Sequence, residues 1–386
     1  MKNVVADIEE TSEQEILAIF SDASKLVGVC NQVRERVKVH PSQSNFRVAA
    51  VFIIEHTVTD DANDAKTQTS FVCGSNAEQG FIGGAICAER ATLCRLRFYE
   101  NAKILKVIVT TDSEHAIAPG GLCREFLMSA AAPETPVVAG NATGSKIVEC
   151  LLGELWPFPY VYRYCVRCNL VDRAQEFSWK VLNTPDSLTI ADISVSVSSD
   201  IAPSTETANS ATSSANTTAS SNPSSEKIEN IQLQDERYAY LVSVMNAAKA
   251  VNHRDNFDDI HPIRLSAAVL FSDGHIETAW QWKALEYGCT VDPICQLLNV
   301  LKQYPEKMKE TQAEEVVPRT IVMVDQFHIC HAPFAAGRSV LIEHGFGAVE
   351  MFVHTTEGKL MRTTVKDLFP TSESFGANLS HDDFHN

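Results

Sequence analysis

Cys87, Glu89 and Cys123 are the residues of this chain whose types and spacing best suit chemistry. Glu89 follows Cys87 by two positions in Cys87-Ala88-Glu89-Arg90, where a helix is expected to begin near Gly84 and run through Leu96. A helix start offers free N–H groups and a dipole that favours a thiolate. A carboxylate two residues further on lies beside a metal-bound ligand without itself ligating. Cys123 sits in Pro119-Gly120-Gly121-Leu122-Cys123-Arg124-Glu125, at the start of a second helix expected over about 121–130. Two thiols with a carboxylate between them could hold a metal ion and move a proton beside it. Taken singly, each has a blander reading: two buried free thiols, and a surface Glu at a helix start. Upstream, Asn76-Ala77-Glu78 sets an amide near a carboxylate, donors and acceptors that suit polar groups of a small molecule.

In this order, Asn76-Ala77-Glu78, Cys87-Ala88-Glu89 and Pro119 to Cys123 resemble the signature of the cytidine deaminase family, Cys/His-Ala-Glu followed at a distance by Pro-Cys-x-x-Cys. The resemblance spans about residues 22–160 and implies a zinc-dependent hydrolase acting on cytidine or deoxycytidine. It implies that Cys87 and Cys123 ligate Zn2+ and that Glu89 carries a proton from the activated water to the base and then to the leaving ammonia. It further implies that Asn76 and Glu78 grip the sugar, that Phe46 stacks near the pyrimidine, and that Ala88 offers the base a backbone contact. Phe46 has a competing reading as core, because it precedes a buried strand. Arg90 and Arg124 flank the thiols and are expected to temper their charge, with an ion pair elsewhere as the alternative.

Gly120 departs from the pattern: it stands where the family places a third sulfur. Zinc sites normally carry at least three protein ligands. His115, five residues earlier, is the best local substitute; a second water, or a group from another subunit, are the others. Gln79 replaces a family Asn, and only Ser44 and Phe46 represent the family stretch Pro-Tyr-Ser-x-Phe.

The elements that must position these residues follow from periodicity. Helices are expected over 1–20 and about 22–38, the second with Leu26, Val27, Cys30 and Val33 on one face. Strands are expected at 47–54, 70–74, 104–110, 136–139 and 145–149, and Val161 to Val166 alternates like another. Strands separated by helices argue for α/β layers. From Ser198 to Ser225 small polar residues dominate, which reads as a flexible linker. Beyond it the first half is echoed: Ser266–Phe271 resembles Val48–Phe52, and Ala332 to Arg338 holds the place of Pro-Cys-x-x-Cys-Arg without its thiols. The expected architecture is two deaminase-like α/β/α sandwich domains, each a mixed five-stranded sheet flanked by helices. The boundaries read as an arm (1–21), a first domain (22–183), a linker (184–235), a degenerate second domain (236–375) and a tail (376–386). Asp292, His328, Cys330 and His331 are a conceivable metal cluster there, but Ile294 stands where the acid/base Glu belongs, so the second domain is expected to pack against the first and not to catalyse. Cys165 and Cys168 read as buried thiols, with no second pair at zinc-finger spacing.

Composition narrows the partners. With 32 basic against 49 acidic side chains the net charge is -17, which disfavours a grip on polynucleotide phosphates and favours a small, nearly neutral nucleoside. No apolar run approaches the roughly 20 residues of a membrane helix, and the first ten residues lack the basic and apolar parts of a secretory signal. The expectation is a cytoplasmic homodimer working in pyrimidine salvage. The alternative is a deaminase-like pseudoenzyme that binds nucleosides or partner subunits without turnover.

Overall fold

The computed structural model describes residues 6–37, 41–59, 64–78, 84–165, 167–183, 190–192, 239–255, 257–285, 287–309 and 315–370. The first half opens with helices α1 (Ala6–Glu9), α2 (Glu13–Ile19) and α3 (Ala23–Arg36). Ser12 and Glu15 form the capping box of α2. Asp22 caps α3, and Leu26, Val27, Cys30 and Val33 are its buried stripe. Next come strands β1 (Val48–Thr59) and β2 (Ala65–Ser75), helix α4 (Ala88–Arg95), strand β3 (Glu100–Thr111), helix α5 (Gly121–Ala130), strands β4 (Pro136–Gly140) and β5 (Ile147–Leu151), and helices α6 (Leu152–Leu155) and α7 (Leu170–Asn183).

The five strands lie in the order β2-β1-β3-β4-β5. Every pairing is antiparallel except β3 with β4. Alternation along β1 feeds two cores. Ala49, Val51 and Ile53 face α3, while Ala50, Phe52 and Ile54 face α4 and α5. Gly74 lets α4 sit close on β2: a Cβ there would lie 2.4 Å from the Thr92 hydroxyl and 2.8 Å from its backbone nitrogen. The outer edge of β2 is met by the arm, where Glu9 accepts from the Cys73 N–H and Glu13 from the Thr69 N–H, both at 2.9 Å. Arg95 holds Glu9 from the α4 side, with Nη2 at 2.8 Å from Oε2.

The second half contains strand β6 (Ile190–Asp192), helix α8 (Ala239–Val251), strands β7 (Leu265–Phe271) and β8 (Ile276–Trp280), helix α9 (Pro293–Lys309), strand β9 (Pro318–Asp325), helix α10 (Ala335–Glu343), strands β10 (Glu350–His354) and β11 (Leu360–Thr364), and helix α11 (Val365–Leu368). Its sheet runs β6-β11-β10-β9-β7-β8. From β8 to β11 this repeats the order and the strand directions of the first sheet. The sixth strand differs from the expected five. Ile190–Asp192 falls in the stretch read as linker, yet it pairs in parallel with β11 and covers that edge. Apart from those three residues, the expected linker and the tail lie outside the described residues.

The stretch around Val161 is not a strand. Backbone bonds from Arg163 to Tyr160 (3.1 Å) and from Cys165 to Tyr162 (2.9 Å) make it a run of turns. The alternation that imitates a strand includes Tyr162, which enters one aromatic cluster with Tyr160 and His331. This segment and α7 pack on the second half: Tyr162 donates to Asp325 at 2.8 Å and Ser178 to the Phe327 carbonyl at 2.7 Å.

Two buried arginines join the halves. Arg124 of α5 donates to the carbonyls of Pro119, Leu155 and, across the junction, Pro370 (2.6, 3.0 and 2.7 Å). Arg338 of α10 donates to Pro333 and Leu368 in its own half (2.7 and 2.6 Å), and to Pro157 and Phe158 across the junction (both 2.9 Å). Their guanidinium groups lie over the rings of Phe369 and Trp156. Burial pushes Arg124 down to about 10 and Arg338 to about 9, so both stay charged at neutral pH. Arg124, expected to temper the thiolates, interacts with the Cys123 charge and also bonds to carbonyls of both halves.

Candidate active site

Cys87 is the N-cap of α4 and Gly120 the N-cap of α5, and neither contributes a side-chain cap. Both helix starts therefore keep N–H groups free to face an anion. Cys87, Glu89 and Cys123 converge there, with their ligating atoms within 4.8 Å of one another. Glu89 and Cys123 are buried and Cys87 is half-buried. Glu89 belongs to the first turn of α4, so the spacing seen in the sequence does place its carboxylate beside the sulfurs.

The electrostatics follow from this crowding. A hydrogen bond from Cys123, and then Arg90, pull Cys87 down to about 6, while the same bond and burial push Cys123 up. The two sulfurs thus share one proton near neutrality. Arg90 reaches Cys87 Sγ at 3.6 Å and the Ala85 carbonyl at 2.9 Å, as its expected tempering role requires. Burial, and then the Cys87 charge, push Glu89 up to about 7, where a carboxyl can both take and give a proton.

Cys87 and Glu89 line a cavity of about 320 Å³, together with Phe46, Val48, Asn76, Glu78 and Gly120; buried Cys123 lies behind them. Asn76 and Glu78 also shape the rim. Asn76 accepts from the Val48 N–H and donates to the Phe46 carbonyl, both at 2.8 Å. Glu78 accepts from the backbone N–H of Gln43 (2.8 Å) and Ser44 (2.9 Å) and from the Ser44 hydroxyl (2.5 Å), which hold its carboxyl below the usual range. Between them they pin the segment that carries Phe46 to the mouth of the cavity. Each keeps unused capacity, since a carboxylate has about four acceptor sites and an amide has two donors and two lone pairs.

Two expected site residues stand elsewhere. Ala88 packs in the core beneath the sheet, and its carbonyl accepts the Thr92 hydroxyl at 2.8 Å. His115 is exposed, 3.4 Å from Lys146 Nζ, and is neither in the Cys87–Glu89–Cys123 group nor among the cavity residues. The cavity wall also uses Val48, Val109, Thr111, Ile117 and Ala118, which sequence reasoning did not single out. The signal for Val48 and Thr111 was their place at the paired ends of β1 and β3.

A zinc ion fits the chemistry of the donors. One thiol is already acidic, the second is hydrogen-bonded to it, and a carboxylate lies within ligating reach. At Gly120 a Cβ would meet nothing within 4 Å, so the third family position is open space and not filled by a substitute.

No family model matches the chain. Among curated proteins, a cytidine deaminase of Halalkalibacterium halodurans is 26% identical over 136 residues, which is 35% of this chain and 92% of that protein. This stretch is similar to cytidine deaminases. Solved structures of cytidine deaminases match over about a third of the chain. That of Burkholderia pseudomallei is 24% identical, covers 39% of this chain and 100% of its own, and has a TM-score of 0.28. That of Mycobacterium tuberculosis is 19% identical over 34% of this chain and 94% of its own, with a TM-score of 0.28. The deaminase-like stretch thus accounts for nearly the whole length of those relatives and little more than a third of this protein.

Proposed function

We propose that the first half hydrolyses cytidine or deoxycytidine to the uridine counterpart and ammonia. The observation that carries this reading is the convergence of buried Glu89 with Cys87 and Cys123, the first two lining a cavity of about 320 Å³. Cys87 and Cys123 would hold the zinc ion, which when bound supplies an acidified water at neutral pH. Glu89 would take one proton from the attacking water as the new C–O bond forms at C4 of the base and deliver it to N3. It would then carry the remaining proton of the C4 hydroxyl to the exocyclic nitrogen, so that the C4–N bond breaks, C4=O forms and ammonia leaves. Phe46 lies against the base, and the unused capacity of Asn76 and Glu78 takes up the sugar hydroxyls. The reading places the protein in pyrimidine salvage, acting on small molecules in the cytoplasm as a homodimer. The test is uridine release from cytidine and deoxycytidine by zinc-supplied protein; its absence at stoichiometric zinc would sink the proposal.

Gly120 favours a second reading, a pseudoenzyme that binds nucleosides or partner subunits without turnover. Gly120→Cys separates the two, because the vacant space accepts the side chain. Its zinc should resist chelation at least about tenfold better, the lower end of what even an outer-shell partner contributes. If only this variant releases uridine, the natural protein is a binder.

A further inference from the structure

The second half keeps a cavity at the position that in the first half is the candidate active site, with different walls. Val48 begins β1 opposite Thr111, and Leu265 begins β7 opposite Asp325. The Asn76 N–H donates to the Val48 carbonyl at 3.2 Å, and the Gln281 N–H donates to the Leu265 carbonyl at 2.8 Å. An isolated bridge between Ala77 and Ile86 is matched by one between Trp282 and Val291. Gln281 and Lys283 therefore stand where Asn76 and Glu78 stand, and Phe334, the N-cap of α10, stands where Gly120 does. Asp292 replaces Cys87 and caps its helix instead, accepting from the Cys295 N–H at 2.8 Å.

The resulting cavity has a volume of about 280 Å³, near the lower end of the roughly 300–1,000 Å³ usual for small-ligand sites. Tyr160, Leu265, Gln281, Lys283, Thr290 and Phe334 line it. Hydrogen-bond accounting gives the ligand class. The Tyr160 hydroxyl and Gln281 Oε1 are buried without a partner, and buried polar groups seldom remain so. Lys283 is not free to recruit an anion: its ammonium pairs with Asp255 at 3.0 Å and donates to the His261 carbonyl at 2.6 Å. What the cavity lacks is a neutral, flat molecule with a ring N–H for Gln281, a polar edge atom for Tyr160 and a π-face for the aromatic wall.

We propose that this cavity binds a neutral nucleobase, free or as its nucleoside, without turning it over. The inference rests on the second-half cavity and on Tyr160, which packs against it, and stands whether or not Glu89 is catalytic. The test is calorimetric titration of the full chain with uridine, and hydrogen exchange to locate the binding. The expected result is protection of the backbone around 281–291, weakened about 3–10-fold by Tyr160→Phe and by Gln281→Leu, each of which deletes a hydrogen-bonding group. Tyr160→Phe removes a single oxygen and should keep the melting temperature; cytidine turnover should be unchanged. Orotate, the carboxylated anion of the same ring, should bind less well than uracil. The proposal is overturned by absence of protection at millimolar uridine, by affinity indifferent to both variants, or by orotate binding better than uracil. Loss of turnover in the first half with protection retained at 281–291 would leave this inference standing and remove only the catalytic one.

Discussion

At the start of α4 stands Cys87, which makes no capping bond; at the start of α9 stands Asp292, which does. Beside the first is Gly120 with open space, and beside the second is the ring of Phe334. Strand order, register and the isolated bridge are shared, so the frame does not depend on what occupies the helix caps. The difference teaches where each half keeps its stability. The first half leaves helix-start N–H groups and one acidic thiol, Cys87, available, while the second satisfies its helix start from within. That is the trade expected between a reactive site and a scaffold, because a missing cap weakens a helix and a present one strengthens it.

Four measurements break or sharpen the contrast. Glu89→Gln should lower cytidine turnover by about 10²–10⁴-fold at unchanged zinc content, the usual range for a lost proton carrier. Retained turnover in a steady-state assay would remove Glu89 from the chemistry. Arg338→Leu should lower unfolding stability by about 3 kcal/mol or more in denaturant titration, since several buried carbonyls lose their donor at about 1–3 kcal/mol each.

The third measurement uses acid. Burial, and then His331, push His354 down to about 4, and its Nδ1 accepts from the Cys330 N–H at 2.8 Å. A histidine kept neutral in the fold contributes its full stability above its ordinary value of 6.5 and loses it as the pH falls from there through 4. The loss amounts to as much as about 3 kcal/mol, and Asp325, held below its usual range, adds to it at still lower pH. Hydrogen exchange between pH 7 and pH 4 should therefore show β9 and β10 opening progressively, and flat protection there would refute the assignment. The smallest effect is expected from Cys87→Asp in the presence of chelator. Importing the cap of the second half should raise the melting temperature by the equivalent of about 0.5–2 kcal/mol. A lower melting temperature would show that the two helix starts are not interchangeable.

Local pattern carried much of this into the sequence. The buried stripe of α3, the limits of α5 and Glu89 beside Cys87 were readable from spacing, because helix periodicity and capping are short-range; that Cys123 joins them was implied only by the family resemblance. What was not readable involved partners distant along the chain. Arg124 and Arg338 find carbonyls across the junction, and nothing local marks which carbonyls those are. Tyr162 lies in a stretch that alternates as strands do, but its destination is a cluster with His331, far along the sequence. Ile190–Asp192 becomes a strand only because β11 offers an edge. His115 was nominated by proximity in one loop, and the loop turns it toward Lys146.

The carboxylates of Glu9 and Glu13 occupy N–H groups that a foreign strand would otherwise seek on the rim of β2. Such rims are templates for self-recognition when left bare. A protease cutting after residue 13 would remove both carboxylates, leave the Cys87–Glu89–Cys123 group in place and bare that rim for strand addition. Loss of these two carboxylates should therefore be visible as turbidity while the cavity beside Cys87 is still formed.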